Sequence, residues 1–370
     1  MQNDWSRRSA MLKLASLAIG AAAAAMPAGR AKSDFDMELR PPLRSLARAS
    51  GIKFGCAEAA PGERQDGVLF EKLATEADIF TPEWGMKWFK TEPHPGVFDF
   101  SDCDGIAAFA ARYDMLVHGH PLVWYFALPP WVLEIASARD AEMALERHIT
   151  TLVSRYRGRI WAWDVVNEPI ETQDDLENGY RNSIWMRRLG IGYIDRAFRL
   201  AHAADPTTPL SLNEYGLEYA TGYCALRRQA TLALLQKLRD DNAPIDCFGL
   251  QSHLLADRTF DRNGLTEFLR SVVKLGYRLM ITELDVNDVK LRGRATERDI
   301  AVARHVAEYL DIVFSVARPI SITTWGLSDR YTWLSEQSRR ADGSAVRPLP
   351  LDADFNRKPM WATLARYLAA

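Results

Sequence analysis

The sequence is short of several things. Four cysteines, Cys56, Cys103, Cys224 and Cys247, stand in 370 residues, and no two lie within four positions of each other. That spacing excludes the common zinc-binding patterns and leaves either one bridged pair or four small apolar core residues. Excess charge is lacking too: 46 Lys and Arg against 48 Asp and Glu give a formal charge of −2. So balanced a chain has no electrostatic footprint for nucleic acid or an anionic membrane. No apolar run reaches the roughly 20 residues that span a bilayer as a helix. No Gly-rich dinucleotide fingerprint follows the first strand-like run, and no Pro/Ser/Gly-rich linker interrupts residues 40–370. What remains is one catalytic-size domain of ordinary globular composition.

Tryptophan, by contrast, is plentiful, with 11 residues. A packed core does not need that many large amphipathic rings. Trp84, Trp88, Trp124, Trp131, Trp325 and Trp333 fall at or just beyond the ends of strand-like runs, whereas Trp161, Trp163, Trp185 and Trp361 read as core.

The N-terminus reads as an address. Arg7-Arg8 precede the apolar run Leu14–Met26, and small residues then lead to Arg30. A basic start, a short apolar stretch and a small-residue exit form an export signal. The arginine pair resembles a twin-arginine signal, although Ala10 and Met11 stand where an aromatic residue usually follows. Residues 1–31 are assigned to the signal and 32–370 to the catalytic domain. The mature chain is expected in the periplasm or secreted, a monomer with no membrane attachment after export.

The body alternates strand and helix. Eight β-like runs begin near Ile52, Ala77, Met115, Ile160, Leu210, Ile245, Arg278 and Ile320. Most are apolar on both faces, as strands of a buried parallel sheet are. Between them lie helix-period stripes: Leu145, Ile149, Leu152, Val153 and Tyr156, and later Val302, Val306, Tyr309, Leu310 and Val313. Thr296 and Asp299 are spaced as a capping box for the second. Eight such units predict an α/β fold, a single-domain (β/α)8 TIM barrel.

Active sites of such barrels sit where strands end. Seven of the eight runs end in polar and aromatic residues, among them Glu83-Trp84, His118-Gly119-His120, Asn167-Glu168, Asn213-Glu214, Gln251-Ser252-His253, Glu283-Leu284-Asp285 and Trp325-Gly326. Glu168 and Glu283 each follow a strongly apolar run, and a carboxylate so placed needs a partner or a task. Paired carboxylates are the machinery of glycoside hydrolysis. Tryptophan rings suit the C–H faces of sugars.

Trp163-Asp164-Val165-Val166-Asn167-Glu168-Pro169 and Ile281-Thr282-Glu283-Leu284-Asp285-Val286 resemble the two active-site motifs of glycoside hydrolase family 10, the endo-β-1,4-xylanases. Met86-Lys87-Trp88, Gly119-His120 with Leu122-Val123-Trp124, Leu250-Gln251-Ser252-His253 and Trp325-Gly326 with Asp329 match in order, so the resemblance runs from about Ile52 to Tyr367. It implies Glu168 as general acid/base and Glu283 as nucleophile of a retaining hydrolysis of xylan. It further implies Asn167 on the substrate 2-hydroxyl, His253 beside Glu283, and Gln251 supporting the nucleophile. Glu83, Lys87, His120 and Trp124 would line the glycone subsites, with Trp325 and Trp333 as aromatic walls. Trp84, Trp88 and Asp285 are further candidates. Neither cofactor nor metal is implied, and the partner is a neutral polysaccharide.

The sequence departs from the family pattern in three places. Trp84 stands where an Asn is usual, Tyr125-Phe126-Ala127 replaces His-Ser-Gln, and Thr332 replaces a Ser. Altered glycone subsites follow as an expectation. Competing readings are a His118/His120 metal pair, a non-catalytic sugar-binding protein, and hydrolysis of another β-1,4-glycan. His94, His148, His202 and His305 read as loop or helix-surface residues.

Overall fold

The computed structural model describes Met37 and residues 39–369. The assigned signal, 1–31, lies outside the described residues. Two units divide the chain, Met1–Arg40 and Pro41–Ala370, and the second contains the barrel.

Among the described residues nine strands follow in order: β1 (Lys53–Glu58), β2 (Ile79–Pro82), β3 (Leu116–Gly119), β4 (Ala162–Asn167), β5 (Leu210–Glu214), β6 (Cys247–Leu250), β7 (His253–Leu255), β8 (Arg278–Asn287) and β9 (Ser321–Thr324). Neighbours pair in parallel from β6 back to β1, then through β9 to β8, and β6 pairs with β8 to close the ring. The eight-stranded barrel is the one the apolar runs predict. Every residue of β4, β5, β6 and β9 is buried, which is why those segments read as apolar on both faces. The short β7 lies outside the ring and pairs with the far end of β8, setting His253 opposite Asp285.

Helices between the strands bury the stripes read from the sequence. Helix Ala138–Arg155 buries Leu145, Ile149, Leu152 and Val153, and helix Ala295–Phe314 buries Val302, Val306, Tyr309, Leu310 and Val313. The start of the second helix differs from expectation. Glu297 accepts the Arg294 backbone N–H at 2.8 Å, so the capping pair sits two residues earlier than Thr296/Asp299. Asp299 is engaged elsewhere, by Arg347 Nε and Nη2, each at 2.8 Å.

All four cysteines are free thiols and buried, so they act as small core residues. His148 and His305 are also buried, against the surface reading, because aromatic rings cover them: Trp88 stacks on His148 at 3.7 Å and Phe260 on His305 at 4.3 Å. Two glycines set the barrel interior. A Cβ at Gly119 would overlap the Trp163 ring, and one at Gly249 would overlap the Asn213 side-chain oxygen. Gly249 thereby leaves Asn213 room to lie across the strand ends.

Candidate active site

Each glutamate lies at a register slip, Glu168 beyond one and Glu283 inside one. β4 slips against β5 between Asp164 and Val166, and β8 slips against β9 between Ile281 and Leu284. An extra residue bends a strand and re-aims the side chains beyond it. Glu168 also takes a left-handed backbone, φ 56°. For a residue with a long side chain this is strained, and such strain clusters at functional sites.

The two carboxylates belong to one hydrogen-bond network. Asn213 donates its amide to Glu283 Oε1 at 2.7 Å and to Asn167 Oδ1 at 2.8 Å. Thr282 Oγ1 fixes the other end of that amide by donating to Asn213 Oδ1 at 2.7 Å. Gln251 donates to Glu168 Oε1 at 3.0 Å, and Asn167 Nδ2 reaches the same oxygen at 3.3 Å. The two glutamates therefore differ in their surroundings. Glu283 has both oxygens engaged, since His253 Nε2 lies 3.2 Å from Oε2. Glu168 has Oε1 held by neutral amides, and Oε2 has no hydrogen bond among the described residues.

His253 links the nucleophile candidate to a second carboxylate. Its Nδ1 lies 3.0 Å from Asp285 Oδ1, and Trp333 Nε1 donates to Asp285 Oδ2 at 2.6 Å. Burial alone would lower the pKa of His253, but Asp285 and Glu283 outweigh it and hold the imidazolium well above the usual range. Burial pushes Glu283 up, and the bonded His253 with the nearby His120 more than offsets this, so its carboxyl titrates below the ordinary value. A group so placed stays ionised. On the opposite wall, His120 and His118 both turn onto Asp164, at 2.9 and 3.2 Å. Burial works against the Asp164 carboxylate, but these two imidazoles hold its pKa well below normal.

Lys87 is a buried cation of the site. It is 4% exposed, and its Nζ lies 4.0 Å from the Trp84 ring centroid, 4.7 Å from Trp124 and 5.8 Å from Trp325. Burial lowers its pKa to about 8, with Glu283, Glu83 and Glu168 opposing the fall. Glu83 moves the other way: burial raises it, and Lys87 opposes. Trp325 also meets the rings of His120 at 5.2 Å and His253 at 6.2 Å.

Two sequence expectations need correction. Trp88 does not face the cleft. It is 3% exposed, stacked between His148 and Trp185, and belongs to the core. Lys87 is the N-cap of the short helix Trp88–Thr91, so the chain turns inward directly after it. Trp131 leans on Trp88 and donates its indole N–H to the Glu92 carbonyl, so it too is packing. Gln251, expected to support the site around the nucleophile, accepts the Glu283 backbone N–H on its own carbonyl at 3.0 Å and donates its side-chain amide to Glu168 and Asn167.

Sequence reasoning gave no role to three residues of the site. Asn213 had a signal, a polar end on an apolar strand, but no reason to be ranked above Glu214. Asp164 looked like part of a motif rather than the partner of two histidines. Arg181 lies in the loop after β4 and had no signal, although its guanidinium reaches Glu168.

Comparison with known proteins agrees with this geometry. Residues 42–367 match the family model described as glycosyl hydrolase family 10. Endo-1,4-beta-xylanase 1 of Humicola insolens is 32% identical over 332 residues, 88% of this chain and 74% of that protein. Among solved structures, xylanase 10B of Thermotoga maritima superposes with a TM-score of 0.80 at 30% identity, covering 88% of this chain and 98% of its own. Xylanase 10B of Thermotoga petrophila RKU-1, solved with xylobiose, gives the same TM-score and identity over 89% and 97%.

Proposed function

The chain belongs to glycosyl hydrolase family 10, and from that premise we propose that it cleaves internal β-1,4 bonds of xylan by double displacement. The observation that carries the reading is the asymmetry between the glutamates. Glu283, engaged on both oxygens and backed by a cationic His253, suits an ionised nucleophile. Glu168, with one oxygen held by neutral amides and the other free of protein hydrogen bonds among the described residues, suits a group that gives and takes a proton.

In the first step Glu283 attacks the anomeric carbon while Glu168 protonates the leaving oxygen. In the second, Glu168 takes a proton from water, which displaces Glu283 with net retention. Asn167, bonded to Glu168 and to the Asn213 that holds Glu283, is assigned to the substrate 2-hydroxyl. Glu83, Lys87, His120 and Trp124 form the glycone wall. Trp325 and Trp333, both in ring contact with His253, form the aromatic wall over the nucleophile.

The glycone side carries the departure from the family pattern. Trp84 presents an indole, and the alanine at 127 has no amide to offer a sugar hydroxyl. Losing such hydrogen bonds costs about 0.5–1.5 kcal/mol each. The enzyme is therefore expected to favour short or decorated chains. A subsite map on xylo-oligosaccharides equal to that of an Asn/Gln-bearing relative removes this part of the reading. Export through residues 1–31, the monomeric state and the periplasmic or secreted location are part of the same proposal.

The test is activity of the mature chain on xylan, arabinoxylan and β-glucan beside Glu168→Ala and Glu283→Ala. Xylan is the expected substrate, and both variants should lose turnover. No xylan activity in the parent, or retained activity in Glu283→Ala, overturns the assignment.

A further inference from the structure

We infer that Arg181 is a positioning residue for Glu168 and that Tyr125 holds it in place. The inference rests on the reading of Glu168 as acid/base. Arg181 lies in the loop after β4, and its side chain is 9% exposed. Its Nε donates to the backbone carbonyl of Glu168 at 2.7 Å, the residue whose left-handed backbone is strained. Its Nη2 donates to the Ile170 carbonyl at 3.3 Å and the Tyr215 hydroxyl at 2.9 Å. The same nitrogen lies 3.8 Å from Glu168 Oε2 and 3.6 Å from Glu171 Oε2, beyond hydrogen-bond length but within ionic reach.

One guanidinium thus grips the main chain of Glu168 and faces its side chain. The strained φ needs such a hold, because an ordinary residue left to itself abandons that region. The arginine is fixed in turn. The Tyr125 ring covers its guanidinium at 3.9 Å, and the Arg181 backbone N–H bonds to the Pro169 carbonyl at 2.8 Å. The loop below is tied by Arg227, which donates to Ile170 at 2.8 Å, and by Glu214, which accepts the Ile170 N–H at 2.8 Å. Arg181 does not touch the reacting atoms. It sets where the Glu168 carboxyl stands, and a displacement of about 1 Å at such a group costs roughly 100-fold in rate.

The test separates placing the acid/base from merely holding the fold. A 2,4-dinitrophenyl β-xylobioside leaves without a proton, so its first step does not need Glu168, whereas xylan does. The second step needs Glu168 as base for both, and added azide, which needs no base, replaces water there and yields the β-glycosyl azide. For Arg181→Met the expected result is roughly 30- to 100-fold loss on xylan, with a burst of dinitrophenolate near parental size and a steady rate restored by azide. Glu168→Ala should show the same pattern more strongly. Equal loss on both substrates without azide rescue, or no loss on xylan, overturns the inference. Tyr125→Ala, on an exposed loop, serves if Arg181→Met does not fold, with a smaller loss of the same pattern expected and an unchanged xylan rate counting against it. A parent enzyme inactive on xylan overturns instead the reading on which this rests.

Discussion

Asn213 donates to Glu283 Oε1 at 2.7 Å, and its amide is the bridge by which the proposed nucleophile is joined to the neighbourhood of Glu168. Hydrogen bonds to charged groups contribute about 1.5–3 kcal/mol. Asn213→Ala is therefore expected to lower kcat on xylan roughly 10- to 150-fold, with circular dichroism unchanged. An unaltered kcat would show that Glu283 does not depend on this amide.

His253 keeps Glu283 ionised, so its loss should appear at acid pH. A nucleophile must be charged to attack. Without the bonded imidazolium, burial of Glu283 is opposed less and its pKa rises. In His253→Ala the acid limb of kcat/KM should move to higher pH. Rates from pH 3 to 8 test this, and a limb that stays in place contradicts it.

Lys87 titrates at about 8 in its cage of indoles. It is cationic below that pH and neutral above it, so the proposed bond to a glycone hydroxyl should weaken as pH rises through 8. KM for xylotriose should climb between pH 7 and 9. Lys87→Met should have a high KM with no such climb, measured by initial rates at constant ionic strength.

Trp88 is a stability residue. Deleting so large a buried ring costs about 3–5 kcal/mol. Trp88→Ala should lower the denaturant midpoint accordingly and leave KM on xylo-oligosaccharides within about two-fold of the parent, an uncoupling expected where packing alone is lost. Trp84→Ala should do the reverse, with little change in stability and a raised KM, because its ring lies on Lys87 at the cleft.

The barrel was legible in the sequence because strands buried on both faces leave an apolar run, and seven of the eight runs end in polar or aromatic residues that the parallel sheet gathers at one end of the barrel. Glu168 and Glu283 were visible for that reason. The residues that hold them were not. Arg181 acts from a loop with no periodicity, and Asn213 is distinguished from Glu214 only by the space that Gly249 leaves. The register slips at the glutamates are one-residue events with no compositional mark. His148 looked like a surface residue because Arg147 and Glu146 flank it, yet Trp88 and Glu92 enclose it. Trp88 misled for the converse reason: its distance from a strand end matched that of cleft residues, and only the short helix after Lys87 turns it inward.

The central claim is that Glu283 forms the covalent bond and Glu168 does not. The most direct measurement is mass spectrometry of the enzyme inactivated with a dinitrophenyl 2-deoxy-2-fluoro-β-xylobioside, digested and sequenced. The account predicts one fluoroxylobiosyl group per chain, carried by the peptide containing Glu283. A label on the peptide containing Glu168, or turnover without any label, would contradict it.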